Sequence, residues 1–289
     1  MVNLIEIKDS TMRPAQLRSL TLAGLMLLAV SGCSGGEKSV KSDEAHGDNH
    51  GGAHGDAGGA KLTHWAYSGD EGPSHWGQLG GDAATCASGA RQSPIDLTGN
   101  GRAQMSKITL DYLSSNATIQ NDGHSIKVVP SKGGGLIADG TPYDLKQIHF
   151  HSPSEHTING RRAALESHFV HQNAKGEYLV IAVLSNVGVA DPMLAPIWTY
   201  LPSDQTAPAA IPDLLINARD LMPATEEFFV YSGSLTVPPC SEGVTWMVFS
   251  APLSVSPEQV SAYETLLGST ARPIQARKDR DLLTVISAG

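Results

Sequence analysis

The order of apolar and polar positions divides the chain into three stretches. A largely apolar run from Leu20 to Val30 follows two arginines, Arg13 and Arg18. At about half the roughly 20 apolar residues that a membrane-crossing helix needs, it has the length and flanks of a signal-peptide core. From Ser34 to Ala60 large apolar side chains are almost absent, and Gly, His, Asp, Lys and Ser dominate. Such a stretch buries too little to offset its ordering entropy and is expected to be a flexible tether. From Leu62 onward, short apolar or alternating runs recur between Gly, Pro, Asn and Ser. They predict strands over 107–112, 125–129, 147–151, 167–172, 178–184 and 244–250. Helices are expected to be few and peripheral, over 193–199, 211–215 and 257–267, the last with Ser256 as N-cap and Pro257 in the first turn. Many short strands with few long 3.6-period stretches between them favour one mainly antiparallel β domain over a parallel α/β sheet.

Composition sharpens this picture. Of 289 residues 40% are hydrophobic, enough for a large core, and a formal net charge of -9 sets nucleic acid aside as a partner. Val30-Ser31-Gly32-Cys33 resembles the lipobox at which bacterial lipoproteins are cleaved before a lipid-bearing cysteine; the alternative is an ordinary signal peptide with a coincidental cysteine. The expected organisation is a leader over 1–32, with Met12 a better initiator than Met1, then lipidated Cys33 and a tether over 33–61, then a catalytic domain over 62–289. The protein is thus expected to be exported and anchored to a membrane, and Ser34 after Cys33 favours the outer membrane of a diderm cell. His46, His50 and His54 recur every fourth residue, but Gly47, Gly51, Gly52 and Gly55 oppose a helix there; the tether is either a plain solvated linker or a loose trap for zinc or another divalent ion. If Cys33 carries lipid, Cys86 and Cys240 remain as one pair in an oxidising compartment, forming either a disulfide or two buried free thiols.

Candidate chemistry centres on Gln147-Ile148-His149-Phe150-His151. Residues two apart on a strand share a face, so His149 and His151 can converge on one ion. The later run Glu166-Ser167-His168-Phe169-Val170-His171 offers a third ligand, and alternation puts His168 on one face with Glu166 and Val170 while His171 points the other way. Three neutral histidines leave the fourth position of Zn(2+) open, the arrangement of a catalytic site. Gln147 and Glu166 precede His149 and His168 by two and are expected to orient their imidazoles.

Several blocks now resemble the α-carbonic anhydrases: Trp65-Ala66-Tyr67, Gly72-Pro73 with His75-Trp76, Arg91-Gln92-Ser93-Pro94-Ile95-Asp96, Gln147 to His151, Ser154-Glu155-His156-Thr157, Glu166-Ser167-His168, Gly233-Ser234-Leu235-Thr236 with Pro238-Pro239, and Arg272-Pro273-Ile274-Gln275. They run in order from about Leu62 to the C-terminus. The resemblance implies a twisted, mostly antiparallel central sheet of about ten strands with one catalytic zinc ion at the bottom of a conical cleft. It implies that zinc-bound hydroxide attacks carbon dioxide to give bicarbonate and a proton. It makes Thr236 the acceptor of the hydroxide's hydrogen bond and the donor to Glu155, His124 the proton shuttle, and Tyr67 part of the water network. Val170, Val183, Leu235, Val244 and Trp246 match the apolar wall for carbon dioxide, and Pro94 and Pro239 match cis positions.

Two departures stand out. Val237, which the resemblance places in the substrate pocket, stands where many members have a second threonine, and Lys127 lies near His124 where a neutral amide is common. The expected partners are carbon dioxide or bicarbonate, membrane lipid and a second copy in a homodimer. The rival readings are a recognition module of carbonic-anhydrase shape, against which all three ligand histidines speak, and a zinc-scavenging lipoprotein in which the tether is the working part.

Overall fold

The computed structural model describes residues 64–98, 101–102 and 107–287. The expected leader, Cys33, the tether and its His46, His50 and His54 lie outside the described residues. Fifteen strands are present among them: β1 (Gly101–Arg102), β2 (Ile108–Tyr112), β3 (Ser115–Asn121), β4 (Ile126–Pro130), β5 (Gly134–Ala138), β6 (Thr141–His151), β7 (Thr157–Ile158), β8 (Arg161–Arg162), β9 (Leu165–Gln172), β10 (Tyr178–Val187), β11 (Ala209–Ile216), β12 (Glu227–Ser234), β13 (Glu242–Phe249), β14 (Leu253–Val255) and β15 (Leu283–Ile286). Thirteen form one sheet. Its main path has ten strands, in the order β1-β15-β12-β13-β10-β9-β6-β4-β3-β11, with β2, β5 and β14 attached at its sides. Most neighbours are antiparallel; β10 runs parallel to β13 and β14, and β1 to β15. The fold is mainly β, as the strand spacing predicted.

Alternation along the central strands makes two cores, one on each face of the sheet. On one face Ile148, Phe150, Phe169, Ile181, Val183 and Phe249 are buried together. On the other, Val170, Val180, Ala182, Leu184, Val244 and Trp246 form a second cluster. His149 and His151 of β6 and His168 of β9 project on this second side, where His168 meets the Trp246 ring at 4.9 Å.

Helices are short. The longest, Pro257–Leu267, begins as predicted: the Ser256 hydroxyl accepts from Gln259 N, and the Gln259 side chain accepts from Ser256 N. Its buried Tyr263 donates to Phe150 O at 2.5 Å, fastening it beneath β6. A second helix covers Ala195–Thr199. The helix expected over 211–215 is a correction, since these residues lie in β11, paired antiparallel with β3. Pro212 cannot donate to a ladder, but β11 is the last strand on its side and its register shifts between Ile211 and Leu215, so the proline costs little there. No helix among the described residues is long and apolar enough to cross a membrane.

Candidate metal centre

Register brings the three predicted ligands together. His149 on β6 is directly opposite His168 on β9, and His151 is opposite Glu166. The imidazole centroids are 5.1 Å apart for His149 and His151, 5.0 Å for His149 and His168, and 4.6 Å for His151 and His168. One ring nitrogen from each lies within 4.8 Å of the others.

For His151 and His168 the remaining nitrogen fixes which lone pair faces inward. His151 Nδ1 donates to Thr270 O at 2.7 Å, so Nε2 carries the lone pair; that atom is buried and has no hydrogen-bond partner. His168 Nε2 donates to Glu166 Oε1 at 2.7 Å, leaving Nδ1 to face His149 Nε2 at 3.2 Å. Burial, followed by the neighbouring imidazoles, lowers the pKa of His149 well below the ordinary histidine value, and burial lowers that of His151. Three ring nitrogens that converge, one of them, His151 Nε2, with no internal partner, fit a divalent ion of zinc's preference. Gln147 is beside the site, but its Oε1 and His149 Nδ1 are both buried without a hydrogen bond.

Glu166 anchors a network that sequence reasoning missed. Besides His168, it accepts from His156 Nδ1 at 2.6 Å and from His156 N at 2.8 Å. His156 Nε2 meets the Tyr231 hydroxyl at 2.7 Å, which donates onward to Ser93 Oγ at 2.9 Å. Burial pushes the Glu166 carboxyl up, but His156 and His168 together hold it well below the usual carboxylate range. His156, Glu166 and His168 are themselves close enough to surround an ion. The ring nitrogens facing Glu166 carry protons it accepts, so this trio is a buried hydrogen-bond network rather than a second metal site. His156 directly follows Glu155 in the sequence, a signal that was available; Thr270 and Tyr231 offered none.

Glu155 is fully buried. Its Oε1 accepts from Arg272 N at 2.9 Å, while Oε2 has no hydrogen-bond partner and lies 3.5 Å from His151 Nε2. Thr236 is buried on the loop after β12, and no hydrogen bond joins it to Glu155. That loop is firmly held. Leu235 N donates to Ser241 O at 3.0 Å, Gln92 Nε2 donates to Cys240 O at 3.1 Å, and Cys240 is bonded to Cys86 in a disulfide. Thus the disulfide, not the pair of free thiols, is found. The buried Arg272 guanidinium donates to Cys86 O at 2.8 Å and Ser93 O at 2.7 Å and stands over the Trp76 ring, joining the disulfide to the backbone that carries Glu155's donor. Burial pulls its pKa down to about 10. Peptides 93–94 and 238–239 are cis, as expected, and so is Ser152-Pro153.

Of the residues expected in the apolar wall, Val170, Val244 and Trp246 share one cluster, with Leu235 packed against it and Val237 half-buried two residues on. Val183 is a correction. It pairs with Ser167 and belongs to the opposite core, facing away from the histidines. Val180, paired with Val170 and Trp246, takes the place expected for Val183. Tyr67 packs edge-on against Trp65 and Trp76, and its hydroxyl is buried without a partner, its pKa raised well above the ordinary value by burial and then by Glu155. His124 stacks on Trp65 at 3.8 Å and its Nε2 donates to Trp65 O at 2.8 Å. Lys127 is opposite His149 in register, and its ammonium is paired with Asp122 at 2.5 Å.

A large twisted sheet that presents three convergent imidazoles beside a buried carboxylate defines a mononuclear metalloenzyme scaffold. The chain belongs to the α-class carbonic anhydrases and is an enzyme of that class: the model of the eukaryotic-type carbonic anhydrase family matches residues 71–284. A carbonic anhydrase of Pectobacterium carotovorum is 38% identical over 224 residues, 76% of this chain and 91% of the relative. The α-carbonic anhydrase of Thermovibrio ammonificans, solved with the inhibitor sulfanilamide, superposes with a TM-score of 0.74 at 38% identity, over 78% of this chain and all of that one. A hyperthermostable carbonic anhydrase from a hydrothermal vent chimney superposes with a TM-score of 0.74 at 41% identity, over 77% of this chain and all of that one.

Proposed function

We propose that this protein catalyses the reversible hydration of carbon dioxide to bicarbonate and a proton, with one zinc ion held by His149, His151 and His168. The observation that carries this reading is the convergence of three ring nitrogens, with the buried His151 Nε2 lacking any internal partner. When bound there, zinc supplies the Lewis acidity that makes water a nucleophile near neutral pH.

The protein's own residues do the rest. Glu166 and the Thr270 carbonyl hold His168 and His151 in the tautomers that turn lone pairs inward. Glu155, fixed by Arg272 N, keeps Oε2 free to accept a hydrogen bond. In this role it accepts a hydrogen bond from the Thr236 hydroxyl, so that the Thr236 oxygen accepts from the nucleophile and aims its lone pair at substrate. Val170, Val180, Leu235, Val244 and Trp246 offer carbon dioxide an apolar wall that hydrates it poorly and binds it weakly, which suits rapid turnover. Val237 extends that wall and removes a hydroxyl from the bicarbonate side. His124 takes the proton released when the nucleophile is regenerated, imidazole being able both to accept and to release a proton.

Chelation followed by readdition tests the metal requirement. Removing zinc from the protein abolishes hydration and one equivalent restores it. Full activity at a zinc content far below one per chain would contradict the reading.

Export and anchoring through Cys33 are part of the same proposal, supported by the apolar run and the cysteine that follows it. Mass spectrometry of the mature N-terminus tests this: a diacylglyceryl cysteine at position 33 supports it, and an unmodified chain starting elsewhere contradicts it.

A further inference from the structure

The proposed shuttle has a titratable neighbour on its solvent side. The His64 and His124 rings are 5.9 Å apart, centroid to centroid. The His64 side chain is 70% exposed and its Nδ1 is 2.8 Å from Glu71 Oε2, itself half exposed. His124 is less accessible: one face is covered by Trp65, and its Nε2 hydrogen is committed to the Trp65 carbonyl.

This geometry constrains how His124 handles a proton. With Nε2 donating to a carbonyl, Nδ1 holds the lone pair and is the nitrogen that accepts. The imidazolium so formed must then discharge outward, and the groups around it differ in their capacity to receive. Asp122 already accepts from His124 N at 2.9 Å and Ser125 N at 2.7 Å and is paired with Lys127. Lys127 is a cation with no lone pair. Trp65 and its carbonyl take no proton near neutral pH. His64 is the neighbour that can, since donation of its Nδ1 hydrogen to Glu71 leaves Nε2 as a free acceptor.

We propose that His64, backed by Glu71, is the outer member of a two-histidine proton relay, an inference that rests on the hydration reaction and the shuttle role of His124 given above. The proton on His124 Nδ1 passes to His64 Nε2, across one water where the rings do not touch, and then to buffer in solution. One N–H bond breaks at His124 and one forms at His64. Glu71 keeps its hydrogen bond to His64 Nδ1 and so holds the ring with Nε2 outward, and no electrons are transferred.

The test compares zinc-loaded wild type with His64→Gln, Glu71→Gln and His124→Ala, by stopped-flow hydration in dilute and in concentrated imidazole and by oxygen-18 exchange. The relay predicts that His64→Gln lowers kcat in dilute buffer severalfold, leaves kcat/KM and the interconversion of carbon dioxide and bicarbonate unchanged, slows release of labelled water, and recovers kcat in concentrated imidazole. Glu71→Gln shows the same pattern more weakly. Wild-type kcat for His64→Gln in dilute buffer, with His124→Ala impaired, overturns the relay and leaves the shuttle standing. A normal His124→Ala overturns both. A fall in kcat/KM for His64→Gln also overturns the relay, since a merely structural role would produce it.

Discussion

His168 and His171 lie three residues apart on one strand and have opposite fates. His168 faces His149 and His151, is held through Nε2 by a carboxylate, and turns its other nitrogen toward two more imidazoles. His171 faces the other core, where its Nδ1 donates to Leu179 O at 3.3 Å and its Nε2 accepts from the Tyr112 hydroxyl at 2.8 Å. Both are buried, so burial does not distinguish a ligand from a structural histidine. The difference is that both ring nitrogens of His171 are satisfied by groups outside any cluster, whereas the inward nitrogens around His168 meet only one another, and His151 Nε2 among them has no hydrogen-bond partner.

The sharpest way to break this contrast is substitution at each position. His168→Ala is expected to lose stoichiometric zinc and drop hydration to the buffer background. His171→Leu should keep one zinc per chain and full turnover per zinc, its cost confined to stability; metal loss in His171→Leu would erase the distinction.

A pH titration of stability comes next in size. Burial lowers the pKa of His171 to about 4, against about 6.5 for an unfolded histidine. As pH falls, the unfolded chain takes this proton first. The stability associated with neutral His171 is therefore complete above about pH 6.5, declines below it, and is lost once pH passes about 4, a difference of about 3 kcal/mol. Urea denaturation of metal-free wild type should lose about that much more than His171→Leu between these limits, because His149 and His151 titrate alike in both proteins. Equal pH slopes would contradict the assignment.

The partners of each histidine separate the roles again. Glu166→Gln is expected to weaken zinc binding by about 10- to 100-fold, read by competition with a chromophoric chelator. Tyr112→Phe leaves His171 Nε2 unpaired and should cost about 1 kcal/mol by denaturation without changing zinc affinity.

The three ligands were legible because a strand's alternation is local: His149, His151 and His168 follow from spacing two and from the face that Glu166 shares. The same rule shows how small an error matters. Val183 differs by an odd number of residues from Val180, and an odd shift on a strand moves a side chain to the opposite face. Asp213-Leu214-Leu215-Ile216 is too short for periodicity to separate helix from strand, and pairing with the distant β3 decides it. β3 itself, Ser-Asn-Ala-Thr-Ile-Gln-Asn, turns Ser115, Ala117, Ile119 and Asn121 inward, with Ile119 alone both large and apolar, and gives little apolar signal. Arg272, Thr270 and Tyr231 were unreadable as site residues because their contacts join positions far apart in the chain, as in the bonds from Arg272 to Cys86 and Ser93.

The central claim, that the His149, His151 and His168 cluster holds the ion on which hydration depends, is tested most directly by stopped-flow carbon dioxide hydration with zinc quantified on the same samples of wild type and His149→Ala. The account predicts one zinc per chain and rapid turnover in the wild type, with both lost in a folded His149→Ala. A folded, zinc-loaded wild type without turnover, or a His149→Ala that retains it, would contradict the account.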